Sequence, residues 1–223
     1  MDLKISINFL IQLRRNNNRD WFHANKALYV EAKKQFDQFI EILILVIKDI
    51  DSEIDVTSAK ECSFRIFRDV RFSKNKLPYK TNFGAYIAKG GRKGPFAGFY
   101  VHIEPNESFV AGGVYMPESK NLKAIRTAIF ENIDDYKEII NNKTFKKHFD
   151  RIYGEKLKLA PKGFPKDFAD IDLLKNKHYA VVHKVDDAFW TSEKLFEKLT
   201  KIFRIQFPFN KFINKAIKKE LSH

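Results

Sequence analysis

A chain of 223 residues carries 41 Lys and Arg against 28 Asp and Glu, a net charge of +13, with 44% hydrophobic residues and 22 Phe. That apolar content is enough for one sizeable core, and a single cysteine, Cys62, excludes an internal disulfide and any multi-cysteine metal centre. No run of about 18 uncharged apolar residues is present, which excludes a membrane-spanning helix. The opening MDLKISINFLIQLRR lacks the basic-then-apolar order of a secretory signal, so the cytoplasm is the expected location.

In chain order, residues 5–14 read as a short helix with Phe9, Leu10 and Leu13 on one face, followed by a polar break at NNNRD. A long helix is predicted from about Asp20 to Ile50, because Phe36, Phe39, Ile40, Leu43, Ile47 and Ile50 recur near the 3.6-residue period. The period then changes to two. ECSFRIFRDVRF, TNFGAYIA, FAGFYVHIE and SFVAGGVYM are rich in aromatic and branched residues and read as strands, with KGGRKGP and EPNES as connections. From Glu118 the chain is again helical: ESKNLKAIRTAIFENI, with Ser119 as the expected N-cap, then DDYKEIINN and TFKKHFDRIYG, with Gly154 as the stop. HYAVVHKV is a late strand. TSEKLFEKLTKIFRIQF is a helix expected to end at Pro208, and PFNKFINKAIKKEL is a further amphipathic segment. No repeat, linker or composition break divides the chain. The expectation is one α+β domain over residues 1–223, a mostly antiparallel sheet of about five strands flanked by N- and C-terminal helices.

The positive charge is concentrated. Residues 62–93 hold nine basic residues and one acid, residues 198–219 hold seven and none, and the remainder is near neutral. The second concentration has a simple reading. Leu195, Leu199, Ile202 and Phe203 define an apolar helical face and Lys194, Lys198 and Lys201 the solvated one. The first is harder to place. In CSFRIFRDVRFSKNKLPYKTN, Arg65, Arg68, Arg71, Lys74, Lys76 and Lys80 fall within sixteen positions and share one acid, Asp69. If residues 62–72 form a regular strand, Arg68 sits in the middle of the apolar face Cys62, Phe64, Ile66, Val70 and Phe72. A guanidinium there needs a carboxylate or an anion. Three arrangements follow. Arg forks hold a phosphate-bearing small molecule, with Lys74, Lys76 and Lys80 at the mouth; the segment binds nucleic acid; or the arginines make internal salt bridges in a structural or interaction protein.

NNNRDWFHANK, FRIFRDVRFSKNKLPYKTNFGAYI, GFYVHIEP, GGVYMPE, LKAIRTAI and PKGFPKD together resemble the family known as domain of unknown function 2461. The likeness spans roughly Phe9 to Phe212, and its most specific part is the FRIFRDVRFSKNKLPYKT run. The resemblance implies a conserved domain and supplies neither substrate nor catalytic residue, so the site residues rest on chemistry.

Beside the basic run, Arg126 borders the apolar face Leu122, Ile125 and Ile129; it is either a second wall of the anion site or the partner of Asp69 or Glu118. Tyr79 and Tyr115 are candidate hydroxyl donors. Tyr100, His102 and Glu104 fall on one face of a strand, where a His–Glu pair makes a base with its orienter or an ordinary hydrogen bond. GGRKG lacks the following helix and the Lys-Ser/Thr of a phosphate-binding loop and reads as a turn. His178 and His183 are too far apart on a strand for a compact ligand pair, so no zinc site is expected, and the cofactor is left open, a carboxylate-bound magnesium arriving with a phosphorylated ligand included.

Overall fold

A computed structural model describes residues 2–222. Helix α1 (Lys4–Arg15) buries Ile7, Phe9, Leu10 and Leu13 along one stripe and packs on α3 (Lys26–Lys48). Between them Asn18 accepts from the Trp21 amide at 2.9 Å and caps the short α2 (Arg19–Ala24). The long helix expected over 20–50 is therefore two. The break falls at Asn25, whose side-chain amide donates to the Trp21 carbonyl at 2.8 Å, a local bond that competes with the helical ladder.

The region expected to start the sheet begins instead as a helical turn, α4 (Ala59–Cys62). Glu61 accepts from the Ser58 amide at 3.0 Å and from the Thr57 amide at 3.0 Å, the Ser-x-x-Glu capping pattern that fixes a helix start. Cys62 ends that turn fully buried.

The sheet is formed by β1 (Phe83–Ile87), β2 (Gly98–Ile103), β3 (Phe109–Val114), β4 (Ile152–Tyr153) and β5 (Tyr179–Lys184), in the order β1-β2-β3-β5-β4 with every neighbour antiparallel. It is the expected α+β antiparallel sheet, with β4 in place of a strand over 62–72. The β1–β2 connection holds a single 3-10 turn, Gly91–Lys93, entered through Gly90 and Gly91 at φ of 74° and 67°. GGRKG is thus a turn. Period-two alternation sends Phe83, Ala85, Phe99, Val101, Ile103 and Val110 into the core, where Phe83 stacks on Phe36 (5.2 Å) and Phe99 meets Phe203 edge-on. The opposite face carries Gly84, Tyr86, Tyr100, His102 and Phe109, half-buried apart from the glycine.

Helices α5 (Ser119–Glu131), α6 (Ile133–Asn141), α7 (Lys143–His148), α8 (Ile171–Leu174) and α9 (Asp187–Trp190) lead to α10 (Leu195–Leu221). Ser119 is the first residue of α5 and not its cap, a position taken by Glu118. Gly154 follows β4 at φ 106°. Helix α10 runs straight through Pro208, against the expected stop. An internal proline costs about 3 kcal/mol, and two features offset it. Phe203, Phe209, Ile213 and Ile217 stay fully buried on both sides of it. In addition Gln206, Asn210 and Asn214, one helical turn apart, bind the sheet backbone. Gln206 and Asn210 donate to the Gly98 carbonyl (3.1 and 2.9 Å), Asn210 accepts from the Gly113 amide (2.8 Å), and Asn214 pairs with both Ala97 N and O (2.7 and 3.0 Å). Gly112 lies directly under Gln206, where a Cβ would overlap the amide.

Candidate functional site

After Cys62 the chain touches the edge of β1 for only two residues: Ser63 bridges Ala85, and the Phe64 amide donates to the Gly84 carbonyl at 2.9 Å. It then leaves the sheet as an arm. Lys80 N donates to the Ile66 carbonyl (2.8 Å), Arg68 N to the Pro78 carbonyl (3.0 Å), and Phe67 bridges Tyr79. Residues 69–77 form its tip. The base of the arm is anchored to the N-terminal helices. Tyr79 stacks on Phe22 at 4.0 Å, Phe67 packs against both rings, and Asn17 clamps Tyr79 by accepting from its amide (3.2 Å) and donating to its carbonyl (3.0 Å).

This geometry replaces the regular strand expected over 62–72, and with it the assignment of faces. Phe64, Phe67 and Phe72 are exposed, Ile66 is buried, and Arg68 is half-buried. Aromatic and branched composition favours extended backbone, but only a partner strand makes a ladder, and here the partner is the arm's own return.

Charge is distributed unevenly along the arm. Arg71 forms a forked pair with Asp69 (2.7 and 3.0 Å) and lies over the Phe72 ring. Lys76 donates to the Val70 carbonyl at 3.0 Å, and Lys74 is exposed at the tip. Arg65, Arg68 and Lys80 are different. Among the described residues no carboxylate lies within 4 Å of any of them; Arg68 reaches only the Ser73 hydroxyl at 3.4 Å, and the Lys80 ammonium lies over the Phe64 ring at 5.6 Å. Burial, and then the Arg65 and Arg68 charges, hold the Lys80 ammonium below the ordinary lysine range. Three cations therefore share one neighbourhood, and the nearby carboxylate, Asp69, which feels the Arg65 charge, is already paired with Arg71.

Next to this trio, the half-buried face of β2 carries a second arrangement. Tyr100 meets Phe64 edge-on at 6.1 Å, and its hydroxyl lies 3.0 Å from His102 Nδ1. His102 Nε2 lies 2.9 Å from Glu104 Oε2, and Asn82 Nδ2 approaches Nδ1 at 3.4 Å. The other Glu104 oxygen accepts from Thr81 Oγ1 (2.6 Å) and Arg14 (2.8 Å). Burial alone would raise the Glu104 pKa, but hydrogen bonds from His102, Thr81 and Arg14 outweigh it and hold the carboxyl at about 2. Tyr100 is pushed up to about 12, first by burial and then by the Glu104 charge.

A family model described as conserved hypothetical protein DUF2461 matches residues 6–212. The chain belongs to the DUF2461 family. No curated protein and no solved structure matches it. The distinctive FRIFRDVRFSKNKLPYKT run of this DUF2461 chain is the arm itself, from its root at the β1 edge to its return.

Of the residues singled out from the sequence, the arm gathers Arg65, Arg68 and Lys80, places Arg71, Lys74 and Lys76 toward its tip, and uses Tyr79 as a buried anchor. Arg126 belongs elsewhere. It pairs with neither Asp69 nor Glu118; its guanidinium donates to the Asn176 carbonyl at 2.9 Å, in the neighbourhood of Tyr179, with Nε buried and without a partner. Tyr115 stacks on His178, whose Nδ1 accepts from the Met116 amide, and His183 pairs with the His148 carbonyl. The two basic segments do meet, through Lys89 and Lys218 on Glu53, but at the end of β1 opposite Lys80. Sequence reasoning missed Asn82, Thr81 and Arg14. The first two immediately precede β1, so their position became readable only once the arm was known to return there. Among the described residues, no three His, Cys, Asp or Glu side chains are grouped to hold a metal ion, and no helix is long and apolar enough to cross a membrane.

Proposed function

We propose that this is a cytoplasmic, single-domain protein that binds a small molecule carrying a phosphate group. Arg65, Arg68 and Lys80 are its ligands, and Lys74 and Lys76 guide the anion in. One observation carries the reading: exposed Arg65 and half-buried Arg68 and Lys80 share a neighbourhood in which both arginine charges act on the Lys80 ammonium, and among the described residues no carboxylate is paired to any of the three. In the empty state the Lys80–Phe64 contact is the gain set against the mutual repulsion of the cations, whereas an anion set among them gains charge-assisted hydrogen bonds in a partly desolvated setting. Two lysines of α10 are held by acids, Lys218 by Glu53 and Lys219 by Glu131.

Calorimetric titration with inorganic phosphate and with phosphorylated metabolites tests this. Binding is expected in the wild type and a loss of tenfold or more in Arg68→Ala and Lys80→Ala, while Arg126→Ala binds normally. Because an anion restores the proton affinity of Lys80, binding in alkaline buffer is accompanied by proton uptake, visible as a dependence of the heat on buffer ionisation enthalpy. Unchanged affinity in Arg65→Ala, Arg68→Ala and Lys80→Ala alike overturns the assignment.

A second reading rests on the tip of the arm. Phe72 is 96% exposed beside Arg71, with Lys74 and Lys76 close in sequence. An exposed ring among cations is a platform for a nucleic-acid base. This reading predicts that affinity for short oligonucleotides falls log-linearly with salt and is lost in Phe72→Ala.

A further inference from the structure

The hydrogen-bond chain on β2 has a direction. Glu104, ionised and already accepting from Thr81 and Arg14, can only accept from His102, so the imidazole carries its proton on Nε2. That leaves a lone pair on Nδ1, and the Tyr100 hydroxyl at 3.0 Å donates to it. Among the described residues no donor is directed at the phenolic oxygen. The rings are held in register, with His102 stacked on Phe109 (4.4 Å, 12°) and Tyr100 packed between Phe64 and Phe109. Gly84 leaves the space that the hydroxyl occupies, since a Cβ there would come within 2.6 Å of it. Hydroxyl, base and orienting carboxylate in hydrogen-bonded sequence are the parts of an activated-hydroxyl site. Phe64 touches both this chain and the Lys80 ammonium.

We propose that Tyr100, His102 and Glu104 form a proton relay that activates a hydroxyl, from water or from the ligand itself, beside the phosphate group held by Arg65, Arg68 and Lys80. The placement of the substrate rests on the anion-site reading above; the relay itself does not. In the step, the hydroxyl gives its proton to Tyr100 Oη while the Tyr100 proton passes to His102 Nδ1. The imidazolium so formed is held by Glu104, and the hydroxyl oxygen retains its electron pair as a nucleophile. As that oxygen forms its bond to the phosphorus and the bond from phosphorus to the departing oxygen breaks, the imidazolium proton returns to Tyr100 Oη and the Tyr100 proton passes to the departing oxygen, so the relay ends as it began. Tyr100 is the catalytic residue; His102 and Glu104 position and drive it.

Phenylmethylsulfonyl fluoride is a probe of a base-activated hydroxyl that requires no knowledge of the ligand. Its reaction forms the Tyr100 O–S bond, breaks S–F, releases fluoride and passes the phenolic proton to His102. Peptide mass spectrometry is expected to find Tyr100 as the fastest-labelled tyrosine, slowed about 10²-fold or more in His102→Gln and to a smaller extent in Glu104→Gln. Saturating inorganic phosphate is expected to slow labelling of the wild type several-fold. On the unaltered protein, ¹⁵N NMR of the imidazole should show the Nε2–H form that the relay needs, while the labelling rate separates the relay from an ordinary hydrogen bond. Tyr100 left unlabelled, labelled equally fast in a folded His102→Gln variant, or facing an Nδ1–H imidazole overturns the relay. If Tyr100 is labelled while wild-type protein shows no heat with phosphate, the anion reading falls and the relay stands; phosphate binding without Tyr100 labelling gives the reverse.

Discussion

A half-buried guanidinium serves either as one half of an internal ion pair or as a ligand in waiting, and Arg68→Ala separates the two. Removing one partner of a buried pair costs about 3–5 kcal/mol because the other is left uncompensated. Arg68 has no carboxylate within reach and shares its surroundings with Arg65 and Lys80. Arg68→Ala and Lys80→Met are therefore expected to leave the empty protein as stable as before or more so, within about 1 kcal/mol given their exposure to screening solvent. The pH dependence has a fixed sign. The folded pKa of Lys80 is below the unfolded one, so its penalty is fully present below the folded value and fades as pH rises through both. Lys80→Met is expected to flatten that alkaline rise in melting temperature. Glu104 has the opposite sign. Its depressed pKa, about 2, contributes stability that is complete above the ordinary carboxylate range and lost as pH falls from about 4.3 toward 2. Glu104→Gln is expected to cost on the order of 1–2 kcal/mol at pH 7 and nothing near pH 2, measured by urea unfolding across that range. Tyr100, His102 and Glu104 were legible in the sequence because period two held through β2 and put all three on one face. Tyr79 was not. Its stacking on Phe22 joins segments 57 positions apart, and no local pattern announces such a contact.

At the scale of elements, the polar stripe of α10 is both a fastening for β2 and β3 and a reason that the helix survives Pro208. Asn210 serves both the Gly98 carbonyl and the Gly113 amide. Asn210→Leu is isosteric enough to pack but strands the Gly113 amide, at about 1–3 kcal/mol, and leaves the Gly98 carbonyl to Gln206. The expected loss is about 1–3 kcal/mol by chemical denaturation, with amide exchange speeding first at Gly113; a neutral outcome would mean that the stripe does not fasten the sheet. The spacing of Gln206, Asn210 and Asn214 was visible in the sequence, one residue per helical turn across the proline, and it argues for continuity there. Proline outweighed it because a helix normally stops where an amide is missing, and the three amides on an apolar stripe are explained by buried peptide groups at the ends of β2 and β3 that need partners. The same conflict misled the reading of residues 62–72. Their composition suits a strand, yet Ser58 and Glu61 already carried the signature of a helix start that delays the chain's arrival at the sheet. Expectations for β1, β2, β3 and β5 held because each is rich in aromatic, branched and small residues and has a neighbour in sequence or across the sheet to pair with.

For the whole molecule, a charge of +13 is resolved into local arrangements with different roles. Glu53 gathers Lys89 and Lys218 at one end of β1. Asp69 answers Arg71 on the arm. Arg65, Arg68 and Lys80, at the other end of β1 and near Tyr100 of β2, have no carboxylate within 4 Å among the described residues, a condition they share with cations elsewhere such as Lys198, Lys201 and Lys215 of α10. Salt separates the proposed small-anion site from a polyanion track. Partly buried pairs are screened less than exposed ones, whereas polyanion binding releases counterions in proportion to the phosphates contacted. The most direct measurement is a thermal-shift screen of the wild type and of Arg68→Ala and Lys80→Ala against phosphorylated metabolites, nucleotides and short oligonucleotides at two salt concentrations. A ligand at 100 times its dissociation constant adds about 2.7 kcal/mol, a shift of roughly 5–11 °C for a chain of this size. The expected result is a salt-tolerant shift with a few small phosphates, absent in both variants. Shifts with oligonucleotides alone that vanish at higher salt, or shifts that persist in both variants, would contradict it.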